Sequence, residues 1–409
     1  MEEVKLGTLT KRKIGYGIVQ PGDTLTDGVP VIKVNNIISG LKKVSDLDKT
    51  SIENDRKYHR TKLVGGELLI SVVGTIGRTA IVPHDFAGCN LVRAVAMIDI
   101  PDTLLSFWVK YYIDSPKGQS YIKQNLNTTV QPTLNVKSLV EMPIPLFPKK
   151  TMERIVGILK TLDDKIECNR RINDNLLQQT HALYKSWFVD FEPFKDGEFI
   201  ESEQGMIPKG WSIQKAQDVF EINIGKTPPR KEKEWFTESA EDNIWVSIAD
   251  MGNCGVFISD SSEYLTEEAI RKFNILMVEK DSVLLSFKLT IGRVAIADKK
   301  LTTNEAIARF ILPDKSYREF LYLCLKQYEY GSLGSTSSIA TAVNSKTIKG
   351  MKLLMPNEDI IKCFSQKARP LFEQIRIKQQ ESRRLSQLRD ALLPHLMSGE
   401  LKVNEIEMP

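Results

Sequence analysis

The chain repeats itself, and that constrains its fold more than any other feature of the sequence. The segment LLISVVGTIGRTAI (68–81) returns as VLLSFKLTIGRVAI (283–296), an offset of 215 when Gly77 is set against Gly292. Of the 13 positions from 69 to 81, 8 are identical, including the run Thr75-Ile76-Gly77-Arg78 against Thr290-Ile291-Gly292-Arg293. Asn90 and Asn304 follow at nearly equal distances, and a Pro-Asp pair closes each copy at 101–102 and 313–314. TVQPTLNVKSLVEMPIPLFP (129–148) then resembles SIATAVNSKTIKGMKLLMP (338–356), and a long helical pattern follows each. Solenoid units run to only ~20–50 residues, so two copies this long are a duplicated domain. The order is module, helix, module, helix.

The helical stretches carry heptad seams. In the first, Ile155, Leu159, Leu162 and Ile166 step by four, three and four, and Leu176, Leu183 and Trp187 resume the register. In the second the seam is Ile361, Phe364, Ala368, Leu371 and Ile375, then Leu385, Leu392 and Leu396. Each is interrupted near its middle by a polar pair, Asn169 with Asn173 and Lys378 with Ser382, related by an offset of 209. Two such helices bury their seams against each other, and antiparallel packing sets polar against polar. The first, from Thr151 to Phe188, is about 57 Å long at ~1.5 Å per residue. The expected fold is α+β: two homologous mixed α/β modules separated by two long helices that form an antiparallel coiled coil with pseudo-twofold symmetry. The boundaries read as 1–148, 149–199, 200–356 and 357–409.

Composition excludes several classes. No apolar stretch reaches the ~18–20 residues of a membrane span, and the Met-Glu-Glu start is unlike a signal peptide. The 5 cysteines are odd in number and scattered, which reads as reduced cytoplasmic thiols. Gly225-Lys226-Thr227 imitates the end of a phosphate-binding loop, but Phe220 stands where the earlier glycine belongs. Thr227-Pro228-Pro229-Arg230 is not the Asn/Asp-Pro-Pro-aromatic sequence of an amino-methyltransferase. His59, His84, His181 and His395 are too isolated for a metal cluster. No catalytic residue and no metal site is expected. The net charge of +4 is unevenly held, with 20 Lys+Arg against 14 Asp+Glu in residues 1–150, so that half could meet phosphate.

Residues 161–194 and 205–211 resemble the central region of type I restriction-modification specificity subunits. The likeness rests on Leu162-Asp163-Asp164-Lys165-Ile166-Glu167, Asn169-Arg170-Arg171-Ile172-Asn173, Lys185-Ser186-Trp187-Phe188-Val189-Asp190-Phe191 and GMIPKGW. Cys168 departs from the aliphatic residue usual there. QLRDALLPHLMSGELKV (387–403) is similar to the distal region of that family, and VPVIKVNNI (29–37), the Thr-Ile-Gly-Arg turns and Gln131-Pro132 match its modules. The resemblance implies a non-catalytic subunit acting in phage defence. Two target-recognition domains each read half of a bipartite double-stranded DNA site, and the helices set the spacer and dock two modification (methyltransferase) subunits. S-adenosylmethionine, ATP and Mg are expected on the modification and restriction (translocase/nuclease) subunits and none on this chain. The target adenine would be flipped into the partner's pocket. A solitary two-headed binding or scaffold protein is the alternative.

Base reading needs Arg or Lys for guanine, Asn or Gln for adenine, and Ser or Thr more broadly. In the first module the DNA-binding candidates are Lys11, Arg12, Lys13, Tyr16 and Gln20, then Lys33, Asn35 and Asn36. Thr75 and Arg78 on the repeated turn follow, with Thr128, Thr129 and Gln131. In the second they are Lys226, Thr227, Arg230, Lys231 and Lys233, then Lys288, Thr290 and Arg293, then Ser335, Thr336 and Ser337. Gly77 and Gly292 are assigned to a turn with positive φ or close backbone approach. Arg78 and Arg293 are identical although the half-sites should differ, which assigns them to phosphate or structure. Differing positions, such as Tyr16 and Gln20 against Arg230 and Lys231, are the expected readers.

Overall fold

A computed structural model describes residues 2–38, 40–41, 43–127, 131–333 and 343–401. The chain divides into two compact units, 1–166 with 384–409 and 167–383. Each unit therefore holds one module, the start of one long helix and the end of the other.

In the first module a four-stranded sheet is ordered 15–16, 95–98, 68–71, 79–81, beside a three-stranded sheet ordered 49–50, 29–32, 90–91. In the second module the same orders recur, 221–224, 307–311, 283–286, 294–297 and 264–265, 243–246, 302–303, and each sheet gains one edge strand, 257–258 and 236–237 respectively. The central strands are buried on both faces. Leu68 and Ile70 join one core and Leu69 another, and Val283 and Leu285 alternate with Leu284 in the same way, as the two-residue strand period requires. A helix packs on the sheet in each module, Thr103–Asp114 and Tyr317–Gln327. The first is started by Asp102, whose carboxylate accepts from the Leu105 amide at 3.2 Å.

The parallel ladders correct one detail of the repeat. Val31 pairs with Asn90 and Trp245 with Thr302, so the residue equivalent to Asn90 is Thr302, two positions before Asn304.

The long helices run from Lys149 to Phe188 and from Glu358 to Ser398. Within the first unit they run antiparallel: Ile155 and Leu159 share a core with Leu393 and Leu396, and Arg389 Nη1 donates to Asp163 Oδ1 at 2.8 Å. Within the second unit they do so again. Asn169 Nδ2 donates to Glu381 Oε2 at 3.0 Å, and Tyr184, Trp187 and Phe188 pack edge-on to Phe364 or close to it. The offset of 209 carries Tyr184, Trp187 and Phe188 onto Leu393, Leu396 and Met397, and Asp163 onto Phe372. One unit thus has an aliphatic seam with Asp163 at its side, and the other an aromatic seam with Phe372 at the matching position.

Pro370 lies inside the second helix, which continues through it. Ala368 and Phe372, both fully buried, hold the flanking turns against the module, and that packing offsets the hydrogen bond a helical proline removes.

Candidate nucleic-acid interface

The repeated segment is a β-hairpin, and its identities are explained by one hydrogen-bond pattern. The Ser71 hydroxyl donates to the Thr75 carbonyl at 2.5 Å and accepts from the Arg78 amide at 2.9 Å. The Ser286 hydroxyl does the same with Thr290 at 2.6 Å and Arg293 at 3.1 Å. Both serines are fully buried, so each staples its turn from below. Gly77 and Gly292 donate to the carbonyls of Ser71 and Ser286 at φ of 85° and 87°. A side chain there would also meet Gln119 at 2.9 Å or Tyr330 at 3.0 Å. Positive φ and a crowded approach are what glycine alone accommodates. The sequence singled out the glycines and passed over the serines, although the serines are as well matched in the repeat.

A second pair of glycines brings another segment to the same end of the sheet. Gly17 donates to Val95 and Gly225 to Ile307, and a Cβ on either would lie 2.1 Å from a carbonyl, that of Leu91 or Asn304. Because Ser71 pairs with Val95 and Ser286 with Ile307, the stapled turn and the segment after the glycine converge. In the first module Gln131 joins them, since Thr133 bridges Val73 and Leu134 donates to Val72.

The first-module candidates divide across the sheet. Thr75 and Arg78 are exposed at the turn end, as is Gln131, while Gln20, also exposed, lies three residues past Gly17 with its carbonyl accepting from Asn54 at 3.3 Å. Lys11 donates its amide to Asp99, at the opposite end of strand 95–98, roughly 10 Å away at ~3.3 Å per residue. Lys11, Arg12 and Lys13 therefore do not join the turn. Arg12 is tied down by Asp99 at 2.5 Å, Glu67 at 2.6 Å and the Lys62 carbonyl at 2.9 Å. Its burial lowers the guanidinium pKa, but the two carboxylates more than offset this and raise it. The Tyr16 hydroxyl donates to Leu134 and accepts from the Val136 amide at 2.8 Å, which makes it a strut. Lys33 pairs with Asp48 at 2.6 Å and, with Thr24, holds that carboxyl below its usual range. Asn36 accepts from the Lys33 amide at 2.7 Å, and Asn35 is exposed beside it. Thr128 and Thr129 lie outside the described residues.

In the second module Lys226 and Thr227 lie at the turn end. Lys226 Nζ donates to the carbonyls of Phe273 and Asn274 at 3.2 and 3.1 Å, and the Thr227 hydroxyl donates to Glu305. Arg230 Nη1 donates to both carboxylate oxygens of Glu263, at 2.8 and 3.0 Å, and the guanidinium lies 4.5 Å from the rings of Phe236 and Trp245. Lys231, Lys233, Lys288 and Thr290 are exposed. Arg293 Nη1 donates to the Ile248 carbonyl at 2.6 Å. Ser335, Thr336 and Ser337 lie outside the described residues.

Two exposed residues at this end escaped the sequence reading. Arg93 donates its amide to Ile18 and its guanidinium makes no contact among the described residues; the equivalent position holds Glu305, so no repeat marked it. Leu289 occupies the tip of the second turn, where the first has Gly74. The arrangement offers two polar, partly basic sheet ends on one framework. Among the described residues no group of side chains could hold a metal ion, and no helix is long and apolar enough to cross a membrane.

The family described as "Type I restriction modification DNA specificity domain" matches residues 1–178 and again 208–388. The specificity subunit of the HindI type I restriction enzyme of Haemophilus influenzae is 28% identical over 331 residues, covering 66% of this chain and 71% of the relative. The MjaIX specificity subunit of Methanocaldococcus jannaschii is 28% identical over 354 residues, covering 83% and 79%. The crystal structure of a type I restriction-modification S subunit from M. genitalium superposes with a TM-score of 0.52 at 14% identity, over 97% of this chain and 95% of that one, a likeness of fold.

Proposed function

The chain belongs to the family of type I restriction-modification DNA specificity proteins, and we propose that each module reads one half of a bipartite duplex with the sheet end that carries its serine-stapled turn. It is a sequence-specificity subunit and not a catalyst; family membership makes DNA and other restriction-modification subunits its partners. The observation that carries the finer reading is the paired sheet ends. The same serine and glycines build both, while the side chains they expose differ, as reading two different half-sites requires. Phosphate contacts would fix the register and base-edge contacts the sequence.

In this reading the two long helices set the unread spacer and dock two modification subunits. Those subunits would carry S-adenosylmethionine and flip the target adenine from the stack. Restriction subunits would bring ATP and Mg, and the assembly would work in the cytoplasm. Replacing residues 1–148 by the corresponding module of a relative tests it, with the methylated motif of the host DNA read by sequencing. One half of the motif should change and the other stay. A change in both halves, or no bipartite motif that depends on this chain, would sink the reading.

A further inference from the structure

We infer that Leu289 is a specificity-determining residue that makes an apolar contact with the bases of the half-site read by the second module, an inference that rests on the function proposed above. Its side chain is 99% exposed and its backbone is left-handed, with φ of 57°. The Thr290 amide donates across it to the Lys288 carbonyl at 2.6 Å. That closes a three-residue turn with positive φ at its centre, a rare and strained conformation. At the equivalent position the first module has Gly74, with φ of 78°, the residue such a turn ordinarily takes.

Nothing in the fold compensates for a leucine there. It touches no core, and a bulky β-carbon in this conformation destabilises the native state whatever space surrounds it. Strain of this kind persists where surrounding structure over-determines it, and it clusters at ligand-binding positions. Here the restraint is the Ser286 staple, which holds Thr290 from below. The tip is consequently fixed and projects a hydrocarbon outward between two exposed polar neighbours, Lys288 and Thr290.

A leucine cannot bind phosphate. What a duplex offers it is the thymine methyl group in the major groove or the face of a base at an opened step. Both are apolar base contacts and both carry sequence information. The flanking Lys288 supplies the charge that brings the tip to the backbone.

The test compares wild type with Leu289→Gly in the full chain assembled with its modification subunits. The probes are duplexes bearing the methylated motif intact, with the second half scrambled, or with uracil replacing thymine in that half. The variant should melt at or above the wild-type temperature, because only strain is removed. Its affinity for the intact motif should fall about tenfold. Affinity for the scrambled duplex and the salt dependence should not move, since no phosphate contact is lost. Uracil should weaken wild type, and not the variant, if the contact is to a methyl group; if uracil is without effect and the motif affinity still falls, the contact is to a base face. A variant that binds the intact motif within twofold of wild type overturns the inference and leaves the proposed function standing, as does a variant that melts lower. A wild type that does not distinguish intact from scrambled duplex overturns both.

Discussion

The two stapled turns share a skeleton and differ in almost everything they expose. In the first, Arg78 and Arg93 both reach solvent without a partner among the described residues and the tip is Gly74. In the second, Arg293 is anchored to Ile248, Glu305 replaces Arg93, and the tip is Leu289. Identity of residue is therefore not identity of role. The arginines match in sequence because each follows the same glycine, yet one is free to meet a phosphate and the other holds a neighbouring helix. The helices teach the same lesson, with Asp163 in one unit standing where Phe372 stands in the other.

That last contrast should give the largest effects. Phe372 is fully buried against Tyr322, with ring centroids 5.5 Å apart, so Phe372→Ala should cost about 4 kcal/mol at every pH. Asp163 accepts from Arg389 at 2.8 Å and from the Tyr111 hydroxyl at 2.9 Å, with Lys110 at 3.5 Å. Burial pushes its pKa up, but Lys110, Arg389 and Tyr111 outweigh this and hold it below the usual range. A depressed carboxylate contributes stability above its unfolded value of about 4 and loses it as pH falls through the folded value. Asp163→Asn should thus cost about 2 kcal/mol at neutral pH, reduced from a fully buried pair because the site is a quarter exposed. The gap to wild type should close in acid. Hydrogen exchange around 155–163 and 364–372 reads the two losses separately, and an acid-sensitive Phe372→Ala deficit would break the contrast.

Arginine removal sharpens the comparison of the turns. Arg293→Ala should destabilise its unit by about 1–2 kcal/mol by leaving the Ile248 carbonyl short of a donor. Arg78→Ala should leave melting unchanged, weaken DNA binding equally across sequences and lower the salt slope by about 1. The reverse assignment of the two effects would refute their different roles. The smallest effect should be the most symmetric: Ser71→Ala and Ser286→Ala should each cost about 1 kcal/mol. Equal losses by urea titration support a shared framework, whereas a loss in only one module would show that the skeletons are not equivalent.

Much of this architecture was legible in the residues because it is local or periodic. The helices announce themselves through a seven-residue seam, and the hairpins through a closely matched run whose one shared glycine, Gly77 and Gly292, calls for a turn. What could not be read depends on partners far away in the chain. As a sequence, Arg12 reads as an open cation near other cations, whereas the carboxylates that engage it are 55 and 87 positions distant. Arg230 stands among the expected base readers, and Glu263 together with two aromatic rings engages it. Lys11 and Lys13 fall at the far end of a sheet whose strand order no spacing revealed. Leu289 was open to notice, as the one large apolar residue set against a glycine in the best-matched segment, but its significance lies in a backbone angle.

The division of the long helices between the units also fixes an order of assembly. The core of the first module includes Leu393, Leu396 and Met397, residues synthesised well over two hundred positions after its own sheet. The second unit is complete once Arg383 has been made. On a chain emerging from the ribosome, where domains fold as units, the module made first is the last to close. Until then the start of the first long helix presents Ile155 and Leu159, the apolar residues that the end of the second helix will cover.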